Sequence, residues 1–138
     1  MDLHAVSKGK GYQGPVRRFG ISLRQHKSEK TKRGPGSLGP WSGQQHIMYR
    51  VAHAGQMGYH SRTEYNKHIL KLSAVSDEMK FKGGVIHYGL VKSAYILLKG
   101  SVIGPAKRLV IFTRPSRITP NRPLPTIQVI NLDSKQGA

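Results

Sequence analysis

Short apolar runs occupy the second half of the chain and are separated by glycine, proline and serine. Runs of this length, rich in aliphatic and β-branched residues and bounded by turn signals, are typical of β-strands. Leu3 and Val6 indicate the end of one more strand near the N-terminus. No segment has the length and 3.6-residue period of an amphipathic helix, although Asp77–Met79 favours a single helical turn. The pattern predicts a mainly β fold with strands at 67–75, 85–91, 94–99, 108–113 and 126–132.

Residues 7–62 have no such periodicity. This segment contains eleven Lys/Arg, ten glycines and one acid, Glu29, and its predicted tip at 34–41 ends on Trp41, the only tryptophan. Ordering each residue costs about 1–2 kcal/mol of backbone entropy. The few apolar side chains in the segment return at most ~1.5–3 kcal/mol apiece. The segment therefore needs a partner outside itself in order to become ordered.

The charge of the chain indicates what that partner is. There are 23 Lys/Arg against 6 Asp/Glu, which gives a formal net charge of +17 and a pI near 10.7. Self-repulsion of this size opposes a compact state unless counter-charge is supplied. Nucleic acid is the first candidate, because each neutralised phosphate releases a counterion.

Other classes of protein fit the sequence less well. A membrane-surface protein needs an amphipathic helix or a lipid signal, and the longest apolar run, 94–98, is too short to span a bilayer. The N-terminus lacks signal-peptide architecture. The absence of cysteine excludes disulfides, thiolate catalysis and cysteine-based zinc sites. We expect a cytosolic protein.

Positive charge is densest between residues 8 and 33. A charge run is usually a solvated face, but this one is unbalanced, which favours phosphate binding. Such contacts position a protein on nucleic acid and do not read its sequence. The predicted contacts are Lys8, Lys10, Arg17, Arg18, Arg24, Lys27, Lys30, Lys32 and Arg33, and Arg50 and Arg62 extend the set.

Residues 9–14 match the pattern G-x-G-x-x-G. A dinucleotide site needs a strand before this motif, a helix opening at it and an acid about 20 residues further on. Pro15 and a basic stretch follow instead, and Glu29 is the one acid in the segment. The favoured alternative is a flexible loop whose backbone N–H groups approach phosphates, beside Lys8 and Lys10.

Histidines and the lone tryptophan add candidate contacts with bases. His46, His53 and His60 recur at every seventh position, whereas a helical metal site needs i, i+4 spacing. Stacking on unpaired bases or bonding to phosphate is the favoured role. The polar neighbours of Trp41 offer it no core, so base stacking fits that side chain better.

Three groups of residues resemble the universal ribosomal protein L3 family, in its archaeal and eukaryotic branch. They are VSKGKGYQGPVRR at 6–18, GSLGPW at 36–41 and AGQMGYHSRTEYNK at 54–67. Shorter matches at 83–89, 99–105, 107–110 and 133–137 continue the resemblance in order along nearly the whole chain.

The resemblance implies a structural protein of the large ribosomal subunit in which a small β-barrel carries a long irregular finger into the rRNA. Trp41 would lie at the fingertip, close to the peptidyl transferase centre, between basal stems at 9–18 and 54–62. The implied division is a lead-in strand end at 1–6, an RNA-penetrating extension at 7–62, part of the barrel at 63–114 and a proline-rich extended tail at 115–138.

This sequence departs from the family in three places. The family continues after its tryptophan with His-Pro and a basic stretch, where this chain has SGQQH at 42–46. The histidine that eukaryotic members modify is replaced by Lys32, so no such modification is expected. Family members also have a segment before the finger that includes the first half of the barrel. We expect a separate polypeptide to supply that half by pairing with strands near 67–75 and 94–113.

Two other functions compete with this one. The chain could be a free-standing RNA-binding or RNA-chaperone module with a basic arm, or an enzyme that holds a phosphate-bearing ligand at 9–14. No carboxylate pair or Ser-His-Asp arrangement supports an enzyme. The expected partners are large-subunit rRNA and neighbouring ribosomal proteins, with no membrane. No cofactor is expected beyond structural Mg²⁺ associated with the rRNA.

Overall fold

The computed structural model describes residues 1–28, 30–40, 42–43, 45–74, 77–117, 123 and 125–134. The chain folds as two compact units, residues 1–7 with 61–138 and residues 8–60. We call the first the sheet unit and the second the arm. In chain order the elements are β1 (Asp2–Val6), β2 (Tyr12–Gln13), α1 (Pro15–Phe19), β3 (Gly55–Gln56), β4 (Ser61–Glu64), β5 (Ile69–Ser73), a 3₁₀ turn (Asp77–Met79), β6 (Tyr95–Leu98) and β7 (Ile111–Thr113). Within the described residues the fold is mainly β, as predicted.

The N-terminal strand β1 is the centre of the sheet unit. It pairs antiparallel with β4 on one side and with β7 on the other. Leu3 is fully buried and packs with Ala5 and Ile103, because alternate residues of a strand point to the same face. His4 bonds through its two ring nitrogens to the hydroxyls of Thr63, at 2.9 Å, and Thr113, at 3.0 Å. The segment expected to be a lead-in therefore joins two distant parts of the chain.

A second sheet pairs β5 with β6 in antiparallel orientation, with a bulge between Ile69 and Lys71. The strands predicted at 67–75 and 94–99 are confirmed, and each finds its partner in the other. The 3₁₀ turn confirms the predicted helical turn. Its Glu78 carboxylate accepts hydrogen bonds from Lys71 Nζ and, at 3.1 Å, from the Tyr95 hydroxyl. These bonds, that from Lys71 first, hold the pKa of Glu78 below its ordinary value.

The strand predicted at 85–91 is wrong. Gly84, His87 and Gly89 have positive φ, which no strand accommodates. The Val85 N–H donates to the Gly89 carbonyl at 2.8 Å, and the Gly89 N–H donates back to the Val85 carbonyl at 2.9 Å, so this segment is a tight turn.

The strand predicted at 126–132 is also absent from the described residues of that range. Alternation of apolar residues defines a face, but a strand exists only when its backbone groups find a neighbouring strand. Here a backbone bond from the Lys82 N–H to the Leu132 carbonyl, at 3.0 Å, ties the segment down. The run at 108–113 is strand only over its last three residues. The described strands form separate three-stranded and two-stranded sheets and close no barrel.

Asp2 joins β1 to the segments that follow β4 and β7. Its side chain is 1% exposed. It accepts hydrogen bonds from the Asn66 N–H at 2.8 Å, the Ser116 N–H at 2.9 Å and the Ser116 hydroxyl at 3.0 Å. The bond from Asn66, followed by that from Ser116, holds the pKa of Asp2 below its ordinary 3.8.

We predict that Asp2→Asn lowers the thermal stability of the sheet unit at neutral pH. Because the folded-state pKa of Asp2 is depressed, its stabilisation is fully present above the ordinary value and is lost as the pH falls through the folded value. At pH values below about 4, the melting temperature of the wild type should therefore fall by more than that of the variant. Circular dichroism melts between pH 7 and pH 2 measure this. The control is Asp133→Asn, whose side chain is 71% exposed, and equal acid profiles for wild type and Asp2→Asn would contradict the prediction.

Candidate nucleic-acid interface

The base of the arm is a short antiparallel ladder between β2 and β3. Tyr12 pairs with Gln56 and Gln13 with Gly55. The Lys10 N–H donates to the Met57 carbonyl, and the Met57 N–H donates to the Gly11 carbonyl, each at 2.9 Å. The Lys10 amide of the glycine-rich loop is therefore committed to the protein itself. The loop therefore offers fewer free N–H groups to a phosphate than the sequence predicted.

A five-residue helix, α1, follows the ladder directly and was not predicted. Gly14 caps its N-terminus in an extended conformation and Pro15 opens it, where a missing N–H costs nothing. Gly20 ends it in the left-handed region, with its N–H bonded to the Val16 carbonyl at 2.9 Å. These three residues are the ordinary signals for helix ends, but the helix is too short to show a periodic pattern.

Arg18 projects from α1 onto β3. Its Nη1 donates to the His53 carbonyl at 2.9 Å and its Nε to the Gln56 carbonyl at 3.2 Å. The guanidinium also lies 5.0 Å from the centre of the Phe19 ring. A Cβ at Gly55 would meet Arg18 Cζ at 2.9 Å, so the glycine leaves space for the guanidinium that binds the two carbonyls. Arg18, predicted as an RNA contact, thus binds carbonyl groups of its own chain.

The other predicted cations of the arm face outward. The exposed side chains are Lys8, Lys10, Arg17, Arg24, Lys27, Lys30, Lys32, Arg33 and Arg50. The ion pairs found in the described residues lie in the sheet unit, on Glu64, Glu78 and Asp133. Glu29 lies outside the described residues. The outward cations therefore meet no described carboxylate, and their charge remains available to a polyanion.

Within the arm, an open groove of about 490 Å³ is lined by Leu23, Arg24, Gln25, Lys27 and Ser28. The Arg24 N–H donates to the Lys32 carbonyl at 3.1 Å and closes the turn that forms it. Two of the five lining side chains are cationic, so the groove suits a phosphate.

The aromatic and histidine candidates have different surroundings. His53 and His46 are exposed, and His60 is half-buried. The described residues contain no group of three acidic or histidine side chains placed to hold a metal. Trp41 lies outside the described residues. Arg62 lies on β4 in the sheet unit, where it is exposed and donates to the Ser61 carbonyl at 3.4 Å.

Sequence reasoning missed Tyr49, whose side chain is 98% exposed. The signal that could have found it is an aromatic residue next to an arginine inside a basic segment. None of the described residues of 8–60 is buried. The arm is therefore held together by its backbone and presents charged and aromatic side chains on its surface.

No helix among the described residues is long and apolar enough to cross a membrane.

Comparisons with known proteins agree along the whole chain. The family model described as Ribosomal protein L3 matches residues 1–137. Among similar proteins, the large ribosomal subunit protein uL3 of Methanocorpusculum labreanum is 46% identical over 99% of this chain and 41% of its own length. Those of Methanocaldococcus jannaschii and Methanospirillum hungatei are 47% and 48% identical over 99% of the chain, and over 42% and 41% of their own lengths. The chain thus spans about two-fifths of the length of these relatives.

We predict that Gly58→Ala disrupts the base of the arm, whereas Gly14→Ala is tolerated. Gly58 has a φ of +71°, and a Cβ there would lie 2.0 Å from the backbone oxygen of Lys8. The left-handed conformation alone costs a non-glycine residue about 1–2 kcal/mol, and the clash adds to that. Gly14 has extended backbone, and a Cβ added to it would have no neighbouring atom within 4 Å. Amide hydrogen exchange at Lys10 and Met57 should be faster in Gly58→Ala only; equal protection in the two variants would contradict this assignment.

Proposed function

This chain belongs to the ribosomal protein L3 family, and from that premise we propose that it is a structural, non-catalytic component of the cytoplasmic large ribosomal subunit that binds rRNA through its arm. The observation that supports this most directly is the arm itself. It has no buried described residue, yet it presents nine exposed cations that meet no described carboxylate. A segment of this kind becomes ordered when phosphates replace its counterions.

We propose further that the arm is the finger of the family and that its tip at 34–41 extends toward the peptidyl transferase centre. A hydrogen bond from the Met48 N–H to the Leu38 carbonyl, at 3.1 Å, joins the tip to the segment that follows it. Gly39, at a φ of +124°, leaves no room for a side chain, because a Cβ there would meet Met48 Cγ at 2.7 Å. The tip is thus held against Met48 by contacts that a bulkier residue at position 39 would disturb, and this supports the proposal.

A third part of the proposal concerns the sheet unit, which exposes apolar strand residues. Leu72 on β5 is 63% exposed, and on β7 Ile111 is 55% and Phe112 is 43% exposed. The buried core contains only Leu3, Ala5 and Ile103 among the described residues. Neighbouring strands from the part of the family absent from this sequence would cover these residues. We propose that a separate polypeptide supplies that N-terminal half.

The rRNA role is tested by cosedimentation of the tagged chain with large subunits as salt is raised fourfold. A free RNA-binding module held by about eight phosphate contacts loses roughly 10³-fold or more in affinity over that range. An assembled ribosomal protein is held by the shape of the surrounding RNA as well, so we expect the chain to remain on the subunit. Release in proportion to salt would replace the proposal with the RNA-chaperone alternative.

The same particles test the position of the tip. With Trp41→Ala, assembly should be retained while sensitivity to inhibitors of the peptidyl transferase centre changes. Unchanged translation and unchanged inhibitor sensitivity would contradict a tip close to that centre but would not contradict rRNA binding.

The proposed partner chain is tested by coexpression with a polypeptide that carries the N-terminal half of an archaeal relative. We expect the two chains to copurify, and Leu72→Asp or Ile111→Asp to abolish the complex because each places a charge on a covered strand. Val129→Asp is the control, since Val129 is 83% exposed and lies outside the strands. Failure to copurify, or equal loss with the control, would reject the partner chain.

A further inference from the structure

Tyr49 and Arg50 form the corner of a tight turn in the arm. The turn is closed by a hydrogen bond from the Val51 N–H to the Met48 carbonyl at 3.1 Å. Tyr49 is 98% exposed, the highest value among the large apolar side chains of the described residues, and Arg50 beside it is also exposed. An aromatic ring and a guanidinium are thus presented side by side to solvent.

The turn is anchored on one side. The Met48 N–H donates to the Leu38 carbonyl, and the Met48 side chain occupies the space that a Cβ at Gly39 would need. Met48 is held against the opposite chain segment, and the two corner residues follow it directly. Tyr49 packs against no core, and no hydrogen bond joins it to another described residue. Nothing in the described fold accounts for a tyrosine at this position.

We propose that Tyr49 stacks on an unpaired base of RNA and that Arg50 pairs with the adjoining phosphate. This inference rests on the proposed function, because it assumes that the arm binds RNA. A base offers an aromatic face with a negative phosphate a few ångströms away, which matches an exposed ring next to a cation. Bases inside a duplex have no free face, so the ligand is a single-stranded loop, a bulge or a chain end. An apolar protein surface fits less well, because the corner carries a positive charge beside a single ring.

The experiment uses the full chain and a hairpin RNA whose unpaired loop carries 2-aminopurine, a base whose fluorescence falls when it is stacked. The comparison RNA is a duplex in which the loop nucleotides are base-paired. Tyr49→Leu should weaken binding to the looped RNA about 5- to 150-fold, the range that corresponds to loss of one stacked base, and should abolish the quenching. Tyr49→Phe keeps the ring and should retain both.

The salt dependence of binding separates the two roles. Tyr49→Leu removes no charge, so its slope of log affinity against log salt should equal that of the wild type. Arg50→Gln should make the slope less steep by about 0.7, the contribution of one phosphate contact on a single strand. Tyr88→Leu is the matched control, because Tyr88 is also an exposed tyrosine in a turn and lies in the sheet unit.

The outcomes distinguish this inference from the proposed function. If the wild-type chain binds neither RNA, the proposed function fails first. If it binds both RNAs and Tyr49→Leu changes neither affinity nor quenching, the stacking site is wrong while RNA binding stands. Equal losses from Tyr49→Leu and Tyr88→Leu would also overturn the site. Binding of Tyr49→Phe at wild-type strength shows that the leucine effect reflects loss of the ring and not misfolding.

Discussion

The constraint on which the arm depends is positive charge that the described residues of the chain do not neutralise. None of the described residues of 8–60 is fully buried, and their outward cations meet no described carboxylate. Hydrophobic burial therefore contributes little to the order of this segment. Its short ladder and turns fix the path of the backbone but add little to its stability. A polyanion is the one class of partner that removes the repulsion and orders the backbone in the same step.

The sheet unit depends on a different kind of completion. Its strand β1 gathers residues from 61–64 and 111–113, and Asp2 adds bonds to Asn66 and Ser116. Polar bonds of this kind fix which segments lie together, but the three buried apolar side chains of the described residues make a small core. The apolar residues exposed on β5 and β7 are the ones that the proposed N-terminal half would cover.

Sequence patterns predicted strands correctly where an apolar run finds a partner strand. The runs at 67–75 and 94–99 contain strands because each has the other as a partner, and the mainly β class follows. The run at 85–91 looked similar but turns back at His87 and Gly89, whose left-handed conformations depend on the bond between Val85 and Gly89. The segment 126–132 alternates correctly but meets no partner strand in the described fold. The neighbouring Arg50 marks Tyr49 as a candidate in the sequence, but the exposure of the ring depends on a turn that a bond to Leu38, about ten residues away, holds in place.

Arg18 shows why a count of charges overstates an interface. By sequence it belongs to the same run as Arg17 and Arg24, yet its guanidinium holds two carbonyl oxygens of the opposite segment. The planar fork of an arginine reaches two acceptors at fixed geometry, which the single ammonium of a lysine does not reproduce. Under the proposed function, Arg18 therefore contributes to RNA binding by shaping the arm, whereas Arg24 and its exposed neighbours would contribute through counterion release. Two cations that sequence alone cannot distinguish thus act on binding in two ways, one through geometry that salt leaves intact and one through electrostatics that salt weakens.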